Sequence, residues 1–328
     1  MEDIRVILYG VGSVGKGIVN TLRSKIGVKI VGAVSIEDVG QDVGIVSGGD
    51  PIGVTIVKDI EELVKSVKAD VLIDVASPAS VRETFNRVKC AIENNINIMA
   101  AAMEISNLWF TDPVLAKEID DICKQYGVSF LGAGATQTGD RFILSMTEGS
   151  TEVKRISYTH HADVQAFSDD SNAKEWGITL TRQEYDEGVS NGTVKSKEDL
   201  KASIPYIADC LGWEIDEVTL RKELPVDENG RINAFTGIVE GFEDGVSRIQ
   251  MSYEMVIDPE RNYFDHLVIE GTPMVDAMVK YTPDRGMVAT IGAIVNCIPC
   301  VVKQPAGYVS SLSTPANNII YDDYRKHV

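Results

Sequence analysis

The chain is short of positive charge. Its 328 residues carry 31 Lys and Arg against 49 Asp and Glu, a net charge of −18 at neutral pH. So acidic a surface argues against nucleic acid or an anionic membrane as a partner. It does not bar an anionic ligand from a site built of backbone amides. Cysteine is scarce as well: Cys90, Cys123, Cys210, Cys297 and Cys300 are scattered and odd in number. That argues against a disulfide framework and suits a reducing cytosol. Cys297-Ile-Pro-Cys300 has the spacing of a redox pair or of half a zinc site. No second Cys pair or His cluster completes a metal site, so core packing is expected there, and no metal. Long apolar runs are missing too. The longest uncharged stretch, 286–302, is short for a membrane span and contains Asn296 and Pro299, which predicts a buried helix. The chain opens directly into a strand pattern rather than a signal or transit peptide, so a cytoplasmic location is expected. Gly-x-Ser-x-Gly, a Walker A lysine and His-Glu-x-x-His are all absent, and hydrolase, kinase and metalloprotease readings lack their residues.

A hydrophobic content of 44% with 24% charged residues supplies a globular core, and the length suits two domains. The most informative stretch is the first. Ile4-Arg5-Val6-Ile7-Leu8-Tyr9 reads as a buried strand and breaks at once into Gly10-Val11-Gly12-Ser13-Val14-Gly15. Ile18, Val19 and Leu22 then recur at helical spacing. Strand, Gly-x-Gly-x-x-Gly turn and helix in that order are the dinucleotide-binding fingerprint. Gly10 permits the tight turn, Gly12 lets backbone approach a pyrophosphate, and Gly15 lets helix and strand pack closely. Positions 10–15 are therefore the expected cofactor seat. The second strand, Val28 to Val34, ends at Ser35, where NAD-specific enzymes carry an acid. A serine tolerates a 2′-phosphate, while Glu37 and Asp38 just beyond would repel one. The choice between NAD and NADP stays open.

Strand and helix alternate up to about residue 133, a complete Rossmann reading with a doubly wound parallel sheet. Asp42 to Asp50 is Gly-rich and reads as a loop on the adenosine side. The strand at Val71 ends at Ala76-Ser77-Pro78, on the edge that faces a cofactor. Ile96 to Ala100 is followed by Ala101-Ala102-Met103-Glu104. Beyond this the pattern changes. Gly132 to Gly139 reads as a loop before a helix, and long strands follow at Val153–Ala162, Phe235–Phe242, Ser247–Ile257 and His266–Glu270. This predicts an α+β domain with an open, largely antiparallel sheet. We place a cofactor domain at 1–135, with 287–328 packing back on it, and a substrate-binding and dimerisation domain at 136–286. Open sheets commonly cover one face with a second subunit, so a homodimer is expected.

Glu104 is the candidate catalytic group, since it follows a parallel strand at the catalytic rim. His160 and His161 are adjacent in one strand and face opposite sides, so at most one points into a cleft, with Asp163 as a candidate orienting partner. Thr136, Gln137 and Thr138 precede a helix and could seat a substrate carboxylate, although a plain cap explains Thr138 or Asp140 equally. Trp176, Trp109 and Tyr158 are candidate pocket walls. Asn296, polar within an apolar helix, needs a partner, which could be a nicotinamide carboxamide or backbone.

With these residues placed, the chain resembles the 2,4-diaminopentanoate dehydrogenase family and its amine dehydrogenase relatives, which are built like dihydrodipicolinate reductase. The resemblance runs over nearly the full length. It rests on Tyr9-Gly-Val-Gly-Ser-Val-Gly15, Val31-Gly-Ala-Val34, Val39-Gly-Gln-Asp-Val-Gly44 and Ala102-Met-Glu104. It rests more specifically on Ile269-Glu-Gly-Thr-Pro273, Ala289-Thr-Ile-Gly-Ala-Ile-Val-Asn-Cys-Ile-Pro299 and Pro305-Ala-Gly307. It implies that Glu104 is the catalytic glutamate, that Ala102 and Asn296 lie beside the cofactor, and that the activity is NAD(P)-dependent deamination of an amine, or amination of a ketone with ammonia. Where many relatives carry Asn-Pro-Gly, this chain reads Thr136-Gln-Thr-Gly139, so its substrate could be a 4-aminopentanoate rather than 2,4-diaminopentanoate. Tyr158-Thr-His160-His161 is similar to the Glu-x-His-His motif of dihydrodipicolinate reductase, the alternative reading as an imine reductase. Val164 stands where that enzyme's lysine is expected, and no Asp-x-Pro-Ser-Gly-Thr follows. A non-catalytic NAD(P)-binding sensor is the remaining alternative.

Overall fold

In the computed structural model, described residues are all except 1, 77–79, 102, 135, 165–172, 175, 196, 261, 283–284, 311–312 and 315–316. The side chains of 103, 136–138 and 285–286 are likewise outside the description, as are the candidate residues Ser77, Pro78 and Ala102. The chain divides into two units, 1–137 with 288–328, and 138–287.

The first unit is a seven-stranded parallel sheet in the order β13-β6-β5-β4-β1-β2-β3. Its strands are β1 (Ile4–Tyr9), β2 (Val28–Val34), β3 (Ile56–Val57), β4 (Val71–Asp74), β5 (Asn97–Ala100), β6 (Ser129–Gly132) and β13 (Gly307–Val309). The central strands read as apolar runs because both sheet faces are covered, and β4 is buried at every position. On one face α1 (Ser13–Leu22) and the long helix Arg285–Lys303 bury Ile18, Val19, Ile294, Ile298 and Val301. On the other, α4 (Val81–Glu93) and α6 (Pro113–Tyr126) bury Phe85, Val88, Ile92, Leu115 and Ile119 at spacings of three and four. Ser80 caps α4 by accepting from the Glu83 N–H at 3.1 Å, and Asp112 caps α6 with Pro113 at its first position. The strand order reverses direction between β1 and β4, the switch point at which doubly wound sheets bind ligands.

The Gly-rich stretch 42–50 is more than a loop. It contains a short helix, α2 (Val43–Val46), and the Asp42 carboxylate organises the segment by accepting backbone N–H bonds from Gly44, Ile45, Ile52, Gly53 and Val54. Desolvation is the largest single influence and raises the Asp42 carboxyl, but the backbone bonds together outweigh it and hold the carboxyl below its ordinary range. β13 had no sequence signal, being three residues long. It extends the sheet by pairing in parallel with β6.

The second unit carries a six-stranded mixed sheet, order β12-β11-β7-β10-β9-β8. Its strands are β7 (Glu152–Asp163), β8 (Glu217–Glu223), β9 (Ala234–Glu243), β10 (Val246–Val256), β11 (Tyr263–Thr272) and β12 (Val275–Lys280). All pairings are antiparallel except β7 with β10. Alternate residues Phe235, Val239, Ile249, Met251, Leu267 and Ile269 are buried. Helical segments Glu198–Ala202 and Ser203–Leu211 cover that face, with Leu200 and Ile204 seated where Gly237 and Gly241 leave room. Edge strands β8 and β12 were not anticipated, because both alternate with exposed charged residues and lack a continuous apolar signal. No helix among the described residues is long and apolar enough to cross a membrane.

Candidate active site

The carboxyl edge of the parallel sheet is shaped by places where only glycine fits. Gly10 has φ +100°, and a Cβ there would meet the backbone N of Ala76 at 2.7 Å. A Cβ on Gly15 would lie 2.1 Å from the Gly10 carbonyl oxygen, so α1 packs directly on the turn. At Gly12 a Cβ would meet nothing within 4 Å. Gly12 is also the N-cap of α1, with no side-chain cap bond and no acid in the first turn. The first-turn amides of Ser13 and Val14 therefore face an open approach at the positive end of the helix, and Val11 is buried behind them. This geometry fits a dinucleotide pyrophosphate.

The neighbouring rim is fixed by a buried ion pair. Asp74, at the end of β4, is 1% exposed and accepts two bonds from Arg87 of α4, at 2.7 and 3.0 Å. The Ala76 N–H donates to the same carboxylate, and Arg87 also donates to the Ala76 carbonyl. Ala76 is thus clamped at both backbone groups just beyond the end of β4. Burial raises the Asp74 carboxyl above its ordinary range despite Arg87. At the end of β2, Ser35 is half-buried and its hydroxyl accepts from the Glu37 N–H at 3.1 Å, so its oxygen already serves the turn. Asn296 is half-buried on the helix Arg285–Lys303.

Glu104 lies after β5 in a 3₁₀ turn, Met103–Asn107, and is half-buried. What holds that turn comes from far along the chain. The Tyr308 hydroxyl on β13 donates to the Ile105 carbonyl and accepts from the Leu108 N–H at 2.8 Å. The Ser310 hydroxyl donates to the Ser106 carbonyl at 3.0 Å. Gly132 completes the seat, since a Cβ there would strike the Ser106 backbone at 2.8 Å. Gly132, Tyr308 and Ser310 are positioning residues that sequence reading missed. Only Gly132 left a signal, as a glycine at the end of an apolar strand.

The helix α7 begins at Thr136 and runs to Thr147. Thr136, Gln137 and Thr138 are therefore its first turn and not a loop before it, which corrects the expectation; helical hydrogen bonding begins a turn earlier than Asp140. Gly139 is required there because the Tyr158 hydroxyl would lie 2.8 Å from a Cβ. Within the second unit, His160 and His161 do face opposite sides and hold different partners. His160 Nδ1 lies 2.7 Å from Asp265 Oδ1, and the Tyr281 hydroxyl donates to Asp265 Oδ2 at 2.9 Å. The cross-strand register sets His160 opposite both Asp265 and Tyr253, so Asp265 and not Asp163 is its partner. Asp163 instead accepts from the Asp258 N–H at 3.2 Å. A carboxylate acceptor at Nδ1 makes that nitrogen the N–H donor. His161 stacks on Phe264 at 4.7 Å and reaches Glu254 at 2.9 Å, while its Nε2 is 3.4 Å from Asp258 without hydrogen-bond alignment.

On the His160 side of the sheet lies a buried carboxyl, Asp140. Ser203 donates to its Oδ2 at 2.9 Å, and its Oδ1 has no hydrogen-bond partner among the described residues. Burial pushes Asp140 up to about 7, partly offset by that bond. Trp176 packs edge-on against Phe235 at 5.1 Å and under Lys197 at 3.7 Å. Trp109 is edge-on to Tyr308, and Tyr158 is buried. Among the described residues no group of three His, Cys, Asp or Glu is placed to hold a metal ion.

Comparison with known proteins agrees with this architecture. Residues 4–102 match the dihydrodipicolinate reductase N-terminal family, and residues 138–328 match the 2,4-diaminopentanoate dehydrogenase C-terminal domain. These matches and the glycine turn define a Rossmann-type NAD(P)-dependent oxidoreductase. A 2,4-diaminopentanoate dehydrogenase of Acetoanaerobium sticklandii is 30% identical over 99% of this chain and 97% of its own length. The chain belongs to the 2,4-diaminopentanoate dehydrogenase family. An amine dehydrogenase from Mycobacterium smegmatis shares the fold, with a TM-score of 0.84, 22% identity and 98% of each chain covered. A 4-hydroxy-tetrahydrodipicolinate reductase of Methanococcus aeolicus is 32% identical over only 32% of this chain and 40% of its own.

Two outcomes follow from this geometry. Tyr308→Phe leaves the Leu108 N–H and the Ile105 carbonyl without their partner, and is expected to cost about 1–3 kcal/mol in urea unfolding and to lower kcat. Asp140 binds a proton more tightly folded than unfolded, so its contribution to stability is present at low pH and is lost as pH rises from about 4 through about 7. Asp140→Asn is expected to remove that slope, on the order of 4 kcal/mol at most, in urea midpoints measured across that range.

Proposed function

We propose that this protein is an NAD(P)-dependent amine dehydrogenase. It deaminates a small amine or amino acid, of the 2,4-diaminopentanoate or 4-aminopentanoate type, and in reverse aminates the ketone with ammonia. The observation that carries this reading is the match to 2,4-diaminopentanoate dehydrogenase along both units of the chain. The dihydrodipicolinate reductase family model matches only residues 4–102, within the first unit, and the Methanococcus aeolicus reductase covers 32% of this chain.

Gly10 to Gly15, Ala76, Ser77, Pro78, Ala102, Ser35 and Asn296 are assigned to the nucleotide, and Glu104 to the chemistry. The nicotinamide, when bound, supplies or accepts the hydride. In amination, ammonia must give up a proton on attacking the ketone, and the carbinolamine must then lose water. The iminium that remains is cationic. A carboxylate at Glu104 takes the first proton, returns one to the departing hydroxyl and balances the positive charge. The backbone anchoring of its turn by Tyr308, Ser310 and Gly132 keeps it from relaxing away. Thr136, Gln137, Thr138, His160, His161 and Trp176 are assigned to the substrate. His160, held through Nδ1 by Asp265, is the better supported of the two histidines.

Ammonia is the second substrate under this reading. The protein is also proposed to be cytoplasmic, on the strength of five cysteines none of which is in a disulfide, and a homodimer. The dimer is supported by the second sheet, where Met278 stands 51% exposed on an edge strand.

The test is oxidation of NADH and of NADPH at high ammonium against 4-oxopentanoate, a methyl ketone without the acid and a cyclic ketone. Ammonium-dependent turnover of at least one ketone is expected. Ketone reduction without ammonium would instead make the protein an alcohol dehydrogenase. Binding without any turnover would favour the imine reductase or the sensor.

A further inference from the structure

The segment that follows β2 is tied to the sheet at both ends. The Ser35 N–H donates to the Val57 carbonyl at 3.0 Å, which carries the β2–β3 pairing one residue past the end of β2. The chain then leaves the sheet and returns to the same strand. There the Gly40 N–H donates to the Ile56 carbonyl, and the Ile56 N–H donates to the Gln41 carbonyl. Between these anchors the turn closes on itself. The Ser35 hydroxyl accepts from the Glu37 N–H at 3.1 Å, and Asp38 sits in the left-handed region at φ +56°. The Asp38 carboxylate accepts from Gln41 Nε2 at 2.9 Å. Ile36, 82% exposed, and Glu37, also exposed, form the tip. The turn thus places two acids at the end of β2, where a Rossmann site meets the adenosine ribose.

Positive charge is scarce around them. Residues 30–57 contain no Lys, Arg or His, whereas Glu37, Asp38, Asp42 and Asp50 all fall within that stretch. The Asp42 carboxylate is committed to backbone amides, and Arg23, which reaches in from the end of α1, is committed to the Gly44 and Asp50 carbonyls. The first cation after β3 is Lys58. Beside it, Asp59 caps the helix Ile60–Ser66 by accepting from the Glu61 and Glu62 N–H groups. This balance matters because the two nucleotides differ only at the adenosine ribose. NADP carries there a 2′-phosphate with about two negative charges at neutral pH, which calls for a cation, an arginine fork above all. NAD presents a neutral hydroxyl, from which a carboxylate accepts a hydrogen bond.

We propose that the turn from Ser35 to Gln41 makes the site selective for NAD over NADP, with Glu37 as the specificity-determining residue. The strand-end position itself holds Ser35, so the acid that NAD sites use there has moved two residues along, to the tip of the turn. This selectivity rests on the assignment of the first unit to a dinucleotide and not on the amine chemistry. Exposed charges act through solvent. The preference is therefore expected to be largest at low ionic strength and to narrow as salt rises.

The test is direct titration of the whole protein with NADH and with NADPH, read by nucleotide fluorescence with no substrate present. NADH is expected to bind about tenfold or more tightly than NADPH at low salt. Glu37→Gln keeps the size of the side chain and removes its charge, and is expected to tighten NADPH several-fold and close much of the gap. Glu62→Gln, at an exposed acid of the helix Ile60–Ser66, is expected to leave the ratio unchanged, which separates position from net charge. NADPH binding as tight as that of NADH overturns the proposal, and so does a ratio that Glu37→Gln does not move. A preference for NADPH that is lost in Lys58→Ala also overturns it, and assigns the ribose to Lys58. Binding of neither nucleotide contradicts the dinucleotide assignment, and the proposal with it. No turnover enters these titrations, so failure of the amine reading leaves their outcome intact.

Discussion

Close approach of backbone to backbone at the carboxyl edge of the parallel sheet is the constraint on which the rest depends. The turn after β1 nearly touches Ala76, α1 sits on the Gly10 carbonyl, and the Glu104 turn rests on β6 at Gly132. Each approach is possible only because a Cβ is missing. The consequence is a rim whose polar groups are set by main chain, which cannot rotate away as side chains do. The Asp74–Arg87 pair adds to this by clamping both backbone groups of Ala76. A buried ion pair is poor evidence for stability, because desolvation offsets much of the attraction. Here its more evident effect is to fix the backbone of Ala76.

The first unit was largely legible in the sequence. Buried parallel strands are apolar runs, and the glycine turn carries its own conformational demand, so Ile4–Leu22 could be read residue by residue. Helix ends were legible where caps were, as at Ser80 and Pro113. Asp42 was harder. Nothing local marks a carboxylate that gathers amides from as far as Val54, and the surrounding glycines suggested only a loop.

The second unit and the supports of the candidate site were less legible, for a common reason. β8, β12 and β13 are edge or very short strands, whose side chains are not forced into an apolar pattern. Tyr308 lies some two hundred residues from the carbonyl it holds, and Asp265 about a hundred from His160. Such pairings follow from strand register, which a single sequence does not display. The nearer carboxylate, Asp163, was accordingly the wrong partner to infer. The family resemblance suggests roles for Glu104 and Asn296, and none for the residues that support the Glu104 turn from behind.

The central claim is that a carboxylate on a turn held by the Tyr308 and Ser310 hydroxyls and seated on Gly132 performs the proton transfers of amine chemistry. Glu104→Gln tests it most directly, since the side chain keeps its size and loses its basicity. The measurement pairs ammonium-dependent turnover with direct titration of NADH or NADPH binding. The account predicts a fall in kcat of roughly a hundredfold to ten-thousandfold with nucleotide affinity unchanged. Turnover within a few-fold of the native enzyme would contradict it.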